Sequence, residues 1–303
     1  MSNLLGLFNN NILPIFIAAG AGYAGAKYLQ LNPKSVSQVA FYIFSPCLIF
    51  DLITTSQLSS GDITRMAGFA LACVLGTGAL AWAVGAALRL ERRVLVAVLL
   101  TVMFGNAGNY GLSLNLLAFG EPALAHASLY FVTTAILTYT VGVVVASLGS
   151  TSLKKACLGL FKVPAVYAVG LALIINSLGW QLPLPVERSV SLLAGAAIPV
   201  LIVLMGIQLQ NAGWNGHPLA LTVTSVLRLV AAPLFALALN LAFRLQGPAF
   251  QAGILESAMP TAVILTVLAT EYDVDPSFVS TAVFTTTLLS PITITPLLAY
   301  LGA

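Results

Sequence analysis

The chain carries the stretch Gly105-Asn106-Ala107-Gly108-Asn109-Tyr110-Gly111 near the middle of an uncharged run that extends from residue 94 to residue 120. A helix rises about 1.5 Å per residue and about 20 residues cross a bilayer, so this run is long enough to span a membrane. Glycine and asparagine are unfavourable in a plain lipid-facing helix. The stretch therefore predicts a broken helix. Irregular backbone at membrane depth is tolerated where it is buried in protein or lines a cavity, so we expect a binding site there.

Composition places the chain among integral membrane proteins. Of its 303 residues, 59% are hydrophobic and only 7% are charged, whereas charged residues make up about a quarter of an ordinary soluble domain. Apolar runs recur along the whole length and leave no stretch polar enough for a soluble domain. We expect one membrane domain, residues 1–303, in contact with the lipid bilayer. Nucleic acid is not an expected partner, because the basic residues lie in short loops.

Hydropathy predicts an all-α protein with ten transmembrane spans. The predicted spans are residues 11–29, 36–56, 64–88, 94–119, 124–148, 163–180, 189–210, 218–243, 248–270 and 277–301. Cytoplasmic loops carry an excess of lysine and arginine, and the loops after spans 1, 3 and 5 are the richer ones. They hold Lys27, Lys34, Arg89, Arg92, Arg93, Lys154, Lys155 and Lys162, against Arg65, Arg188 and Arg244 on the other side. Both termini are then expected outside the cytoplasm, with the protein in the cell (inner) membrane.

The two halves of the chain, about 1–150 and 155–303, repeat at a nearly constant offset. Residues 131–140 (FVTTAILTYT) align without gaps to residues 284–293 (FTTTLLSPIT), 153 positions later. Nearly the same offset relates the Gly105 break to Met259-Pro260, and it also pairs Pro46 with Pro199 and Pro122 with Pro276. Because five spans is an odd number, the second repeat enters the membrane inverted. This is the plan of secondary transporters, in which corresponding broken helices, here spans 4 and 9, cross at mid-depth.

Glu256 is the first candidate for an ion or proton site. Pro260, four residues later, lacks an N–H and its ring displaces the Glu256 carbonyl. One turn then offers a carboxylate and a freed carbonyl, and hard cations prefer such oxygen ligands. The alternative is a structural carboxylate paired with Arg228 of span 8. We interpret Arg228 as this structural charge partner rather than as a substrate ligand, because buried charges commonly pair.

Asn106 and Asn109 are candidates for substrate binding, since asparagine donates and accepts hydrogen bonds and neighbouring glycines let the backbone approach a ligand. Half-helices that begin near Tyr110 and near Pro260-Thr261 would each present free N–H groups and a positive dipole end. This arrangement favours an anionic group of the substrate. The alternative is a small-residue interface in which the two asparagines join helices.

Other polar side chains in the spans are further candidates. Thr133 and Thr134 can supply hydroxyls to the ion site, although threonines in spans commonly bond the preceding turn of their own helix. Asp51 is either a second, proton-sensitive site on the other wall of the path or a carboxylate at the membrane edge that reaches water. No nucleophile with a partnering base and no metal-binding spacing occurs, so an enzyme is the least favoured class. No cofactor is expected apart from Na⁺ as a candidate ion.

Four segments make the chain similar to the auxin efflux carrier family in a compact prokaryotic form. They are residues 11–14 (NILP), 105–114 (GNAGNYGLSL), 255–262 (LESAMPTA) and 285–291 (TTTLLSP). The resemblance implies a scaffold of spans 1, 2, 6 and 7, a moving transport unit of spans 3–5 and 8–10, a homodimer, and a small carboxylate as substrate. Only about 14 residues separate predicted spans 5 and 6, so the long central loop of the plant carriers is missing.

A more distant likeness bears on the coupling ion. Glu256-Ser257-Ala258-Met259 is similar to a motif of bile acid sodium symporters, which implies a sodium ion held by Glu256, Asn109 and Thr133. Pro260 departs from that pattern, and Na⁺ and H⁺ both remain open. The sequence as a whole predicts a secondary transporter of a small organic anion. The alternatives are a sodium/proton antiporter, although the spans lack a pair of adjacent aspartates, and a membrane sensor that binds a ligand without moving it.

Overall fold

A computed structural model describes residues 2–55, 58–147, 164–210 and 217–303, and in these ranges every regular element is a helix. In chain order the helices are α1 (Leu4–Leu29), α2 (Pro33–Thr55), α3 (Gly61–Ala87), α4 (Arg92–Met103), α5 (Ser113–Phe119), α6 (Glu121–Ala146), α7 (Pro164–Leu178), α8 (Leu184–Gln210), α9 (Pro218–Phe243), α10 (Gly247–Ser257), α11 (Leu265–Glu271) and α12 (Pro276–Leu301). Seven of them, α1, α2, α3, α6, α8, α9 and α12, are long and apolar enough to cross a membrane.

Several long helices contain a π-helical segment just before a proline. Proline removes a main-chain donor and displaces the carbonyl one turn earlier, and a wider turn relieves both effects. The segments are Phe8–Ile12 before Pro14, Ala40–Phe44 before Pro46, and Leu227–Ala231 before Pro233. The last of these segments contains Arg228, so the distortion of α9 determines where this buried side chain lies.

Two segments that hydropathy assigns to single spans are interrupted. The first leaves the helix after α4, passes through an extended Phe104, and resumes as a π-helical turn, Ala107–Leu112, which continues into α5. The second is non-helical between the end of α10 and the start of α11. The first interruption is shorter than the sequence suggests, because the helix has already resumed at Ala107 within the glycine-rich stretch.

The two interruptions meet and pair through their main chains. Gly105 lies opposite Thr261 in an isolated antiparallel bridge. The Asn106 N–H donates to the Pro260 carbonyl at 2.7 Å, and the Ala262 N–H donates to the Phe104 carbonyl at 3.0 Å. We call this meeting point the crossing. It satisfies main-chain groups that would otherwise be unpaired in an apolar environment.

The helices pack in two groups. In one, α1 lies along α8, and α2 packs on both α7 and α8. Glycines bring α1 and α8 together: a Cβ at Gly22 would overlap the Val203 carbonyl, and one at Gly206 would overlap the Ala19 carbonyl. In the other group, α3 packs on α4, α6 and α9, while α6 also packs on α10. Of the basic residues used for the orientation, Lys154, Lys155 and Lys162 lie outside the described residues.

Candidate functional site

A cavity of about 60 Å³ lies at the crossing. Residues 105–109 and 262–264 line it together with side chains of α6, among them Thr134, and with Gln208 of α8. Asn106 is buried, and its Nδ2 has no hydrogen-bond partner among the described residues. A buried amide donor left unpaired is unfavourable. This N–H is therefore a donor without an acceptor in a residue that lines the cavity.

Asn109 lies on the same cavity wall, and its amide is already bonded. Its Nδ2 donates to Oε1 of Gln208 at 3.2 Å, and Nε2 of Gln208 lies 3.4 Å from Oγ of Ser37 in α2. A polar chain therefore connects the crossing with α8 and α2. The sequence analysis did not single out Gln208, although a glutamine near the end of an apolar span was a visible signal.

A larger cavity of about 610 Å³ adjoins the crossing cavity. Seven residues line both cavities and form the boundary between them: Phe41, Phe131, Ala135, Tyr139, Gln208, Val263 and Ile264. We call the larger cavity the vestibule. Most of the side chains that line it are apolar, and Lys34 is the one basic residue among its described lining residues.

Arg228 is buried directly behind the crossing, where its guanidinium acts as a helix cap. Its Nε donates to the Met259 carbonyl at 2.6 Å, Nη1 donates to the Val102 carbonyl at 2.8 Å, and Nη2 donates to the Ser257 carbonyl. Val102 and Ser257 lie in the last turns of α4 and α10, and Met259 lies two residues beyond the end of α10. The cation thus offsets the negative dipole ends of both helices, while the N-terminal ends of the resumed helices still face the crossing.

Glu256 is not paired with Arg228, contrary to the pairing considered from the sequence. Among the described residues, the basic and acidic side chains that approach within 4 Å are Arg93 with Asp273 and His217 with Asp275, and Glu256 is in neither pair. The pairing does not form because the guanidinium is oriented by three carbonyl acceptors, which hold its N–H groups on the helix ends.

The Glu256 carboxyl forms a second buried polar site, beside α5. Its Oε1 accepts a hydrogen bond from Asn115 Nδ2 at 3.0 Å, and the same nitrogen lies 2.9 Å from the Gly111 carbonyl oxygen. Oε2 of Glu256 and Oδ1 of Asn115 have no partner among the described residues. The carboxyl packs on the α-carbon of Gly111, where a Cβ would overlap it. Sequence reasoning missed Asn115, whose only signal was a polar residue in an apolar run.

The remaining candidates for substrate binding use their polar groups within the protein. The Thr261 N–H donates to Oγ1 of Thr286 at 3.1 Å, and the Thr261 hydroxyl donates to the Thr101 carbonyl at 2.9 Å. The Pro260 carbonyl accepts the bond from Asn106 described above. The Tyr110 hydroxyl lies 3.4 Å from Oγ of Ser290, and Tyr110 is not among the residues that line the crossing cavity.

The candidates for the ion site are likewise separated. The hydroxyls of Thr133 and Thr134 donate to the carbonyls of the preceding turn, those of Leu129 and Phe131, at 2.8 and 2.9 Å. Thr134 lines the crossing cavity, whereas Thr133 and Asp51 line neither cavity. The structure thus brings Asn106, Asn109 and Thr134 together and places Glu256 apart from them. Glu256 is not among the lining residues of either cavity.

Interrupted helices that pair inside a bundle of apolar helices define a membrane protein whose irregular backbone borders a cavity, an arrangement typical of transporters. The chain belongs to the membrane transport protein family, whose model matches residues 8–150 and 147–298. This confirms the resemblance to the auxin efflux carrier family that the sequence motifs indicated, because auxin efflux carrier components of rice and Arabidopsis are among the relatives of the chain. Membership indicates a membrane transporter and not an enzyme.

The relatives differ in how much of the chain they cover. An uncharacterized transporter of Methanothermobacter thermautotrophicus is 28% identical over 86% of each chain. A protein of Rhizobium meliloti, provisionally named as a malonate transporter, is 29% identical over 98% of this chain and 96% of its own. Auxin efflux carrier component 3a of rice is 30% identical over 45% of this chain and 23% of its own length.

Proposed function

We propose that the protein is a secondary transporter that moves a small organic anion across the membrane by alternating access around the crossing. The observation that carries the proposal is the unpaired Nδ2 of Asn106, a buried donor on the wall of the crossing cavity. An anion supplies the acceptor that this donor lacks, and hydrogen bonds to charged groups are stronger than neutral ones.

The electrostatics of the crossing support an anionic ligand. The turn that begins at Ala107 starts on the wall of the cavity, so its positive dipole end lies at the crossing, where the Ala107 N–H itself donates to the Gly105 carbonyl at 2.8 Å. Arg228 covers the opposite, negative helix ends, and its charge lies within a few ångströms of the crossing. The local charge is therefore positive, while a cation at the crossing would meet both a helix N-terminus and a buried guanidinium.

The membrane architecture that we propose has ten spans in two inverted repeats of five. In this proposal the seven long helices are seven of the spans. The other three spans are α7 and the two interrupted pairs, α4 with α5 and α10 with α11. The group of α1, α2, α7 and α8 corresponds to the scaffold, and the remaining helices correspond to the moving transport unit. Both termini outside the cytoplasm, the cell inner membrane and a homodimer remain part of this proposal.

A carboxylate is the substrate group that we propose for the crossing cavity. At about 60 Å³ the cavity has room for one small polar group, and the body of the substrate would extend into the adjoining vestibule. Asn106 and Asn109 bind the carboxylate, with Tyr110, Pro260 and Thr261 shaping the half-helix starts around it. The name of the Rhizobium meliloti relative makes malonate the first substrate to test.

The coupling ion that we propose, Na⁺ or H⁺, binds at Glu256. A fully buried carboxylate without a cation within 4 Å is unfavourable, so this group is stabilised either by a proton or by a bound cation. The unpaired oxygens of Glu256 and Asn115 are suitable ligands for a hard cation. Asn109, Thr133 and Thr134 lie outside the Glu256 site described above, so we propose them as further positions on the path of the ion and not as ligands beside Glu256; we propose Asp51 as a second proton-sensitive group.

Uptake into proteoliposomes tests the proposal. We expect the purified protein to take up radiolabelled malonate above the level of protein-free liposomes, with saturation. Asn106→Leu removes one charge-assisted hydrogen bond, worth about 1.5–3 kcal/mol, and should weaken uptake about tenfold or more. Asn9→Leu, at an exposed position of α1, is the control and should transport normally.

The same experiment separates the alternatives. Binding of malonate or another carboxylate without flux would favour a membrane sensor. Sodium-dependent proton flux in the absence of any carboxylate would favour an antiporter. If neither binding nor flux occurs with any carboxylate tested, the proposed function is wrong.

A further inference from the structure

Gln208 occupies the boundary between the two cavities. It lies in the last turn of α8, is half-buried, and lines both the crossing cavity and the vestibule. The other boundary residues offer rings or apolar side chains, apart from the Tyr139 hydroxyl; they are Phe41, Phe131, Ala135, Tyr139, Val263 and Ile264. Gln208 is therefore the amide that α8 contributes where a substrate would pass from the vestibule to the crossing.

The Gln208 side chain occupies a hydrogen bond that a substrate anion would use. Its Oε1 accepts from Nδ2 of Asn109 at 3.2 Å, and the function proposed above assigns this same donor to the carboxylate. An amide oxygen is a neutral counterpart of a carboxylate oxygen as an acceptor. The position of Oε1 thus marks where a carboxylate oxygen can lie in the occupied cavity.

The other end of the Gln208 amide is held weakly. Nε2 lies 3.4 Å from Oγ of Ser37, a distance at the long limit of a hydrogen bond. Glutamine has three side-chain torsions, and rotation of the last one exchanges the oxygen and the nitrogen. Gln208 can therefore release Asn109 and turn its own N–H donors toward the cavity at small cost.

We infer, on the basis of the proposed function, that Gln208 of α8 binds the substrate. In the empty site Gln208 holds Asn109, and in the occupied site it donates a hydrogen bond to the substrate carboxylate. When the substrate binds, the direct hydrogen bond between Asn109 and Gln208 is replaced by two hydrogen bonds, one from each side chain to the substrate. A glutamate at this position would place a second negative charge beside the anion. The neutral amide is thus a determinant of specificity for anions.

The test compares Gln208→Glu with wild type in proteoliposome uptake of radiolabelled malonate over a range of pH. The substitution keeps the shape of the side chain and adds a charge when ionised. At about pH 7.5 an introduced glutamate is ionised, and near about pH 4 it is largely protonated and again offers a donor and an acceptor. At the higher pH we expect the KM of Gln208→Glu for malonate to be tenfold or more above that of wild type. As the pH falls, the ratio of the two KM values, each measured at the same pH, should return toward one.

Gln210→Glu is the matched control, because it adds the same charge two residues later on the same helix and Gln210 is not among the lining residues of either cavity. The ratio of its KM to that of wild type should not change with pH. Gln208→Met, which has a similar length and no donor, should raise KM independently of pH. If Gln208→Glu does not fold, Gln208→Met still tests whether the Gln208 amide contacts the substrate.

Two results would overturn the inference. If Gln208→Glu matches Gln210→Glu at every pH, or if Gln208→Met transports malonate with the KM of wild type, the Gln208 amide does not contact the substrate. Wild-type uptake distinguishes this failure from that of the proposed function. If wild type transports no carboxylate at all, the proposed function fails, and this inference fails with it.

Discussion

Nδ2 of Asn115 in α5 lies 3.0 Å from Oε1 of Glu256 in α10, and this contact joins the second half of one interrupted segment to the first half of the other. It complements the main-chain pairing at the crossing, which joins the same two segments. The remaining oxygens of both side chains have no partner in the described part of the chain. The pair is therefore incompletely satisfied, which is the property expected of a site that binds and releases a proton or a cation.

Sodium should stabilise the detergent-solubilised wild-type protein against heat if Na⁺ is the coupling ion. A ligand that binds only the folded state raises its stability with the logarithm of its concentration. Titration with NaCl, against choline chloride at equal ionic strength, measures the shift in Tm. Glu256→Gln keeps the shape of the side chain and removes the charge, so the variant should show no sodium shift. Equal shifts in both proteins would exclude Glu256 as the ligand. No shift in wild type would leave H⁺ as the candidate ion.

Gly111→Ala should disrupt the Glu256 site, because the added methyl group would overlap the carboxyl. The carboxyl must then move away from Asn115, which leaves the buried amide without its acceptor. We expect a loss of about 1–3 kcal/mol in the free energy of unfolding, observed as a lower Tm, together with loss of any sodium shift. Gly170→Ala, where a Cβ meets no atom within 4 Å, is the control. A Gly111→Ala protein with wild-type Tm and a wild-type sodium response would contradict this description of the site.

Arg228→Lys should destabilise the crossing although the charge is retained. An ammonium group is compact and cannot reproduce the planar fork that reaches three carbonyls at once. Each buried acceptor that loses its donor costs about 1–3 kcal/mol, so thermal unfolding should occur at a clearly lower temperature. The exposed Arg188→Lys is the comparison and should unfold like wild type. Unchanged Tm and unchanged malonate uptake in Arg228→Lys would show that the cap is dispensable.

Gly206→Ala should separate α1 from α8, because a Cβ there would overlap the Ala19 carbonyl oxygen and helix backbones cannot yield locally. Overpacking of this kind typically costs about 1–3 kcal/mol. A fall in Tm with reduced yield of folded protein is the expected result. Gly195→Ala lies on the same helix, where an added Cβ has no neighbour within 4 Å, and it should be neutral. If the two variants behave alike, the close contact of α1 and α8 does not limit stability.

The place of the crossing could be predicted because it depends on composition. Glycines and asparagines at membrane depth cannot continue an ordinary helix, and Pro260 cannot donate a helical hydrogen bond. The repeat offset then paired the Gly105 break with Met259-Pro260, and Gly105 lies opposite Thr261 in the structure. The exact start of the resumed helix was not predictable, since glycine and asparagine permit both helix and extended chain.

Side-chain partners could not be predicted from the sequence in the same way. Glu256 was singled out as a carboxylate within a span, and the structure buries it, but its neighbour depends on the rotation of α5 and α10 about their axes. Asn115 and Gln208 are each one polar residue in an apolar helix, and nothing in the sequence gives the direction in which they point. Arg228 was expected to pair with a charge, whereas the free carbonyls that it caps exist only because two helices end beside it.

The two hydrogen bonds that join the interrupted segments run between main-chain groups of residues 104, 106, 260 and 262. No side chain takes part in them, so replacement of one of these residues by another that keeps the N–H or the carbonyl leaves the joint intact. The side chains around it can therefore be substituted without loss of these two bonds. If Asn106 and Gln208 bind the substrate as proposed, the side chains that select the ligand and the main-chain groups that join the helices are separate, and a change in one does not require a change in the other.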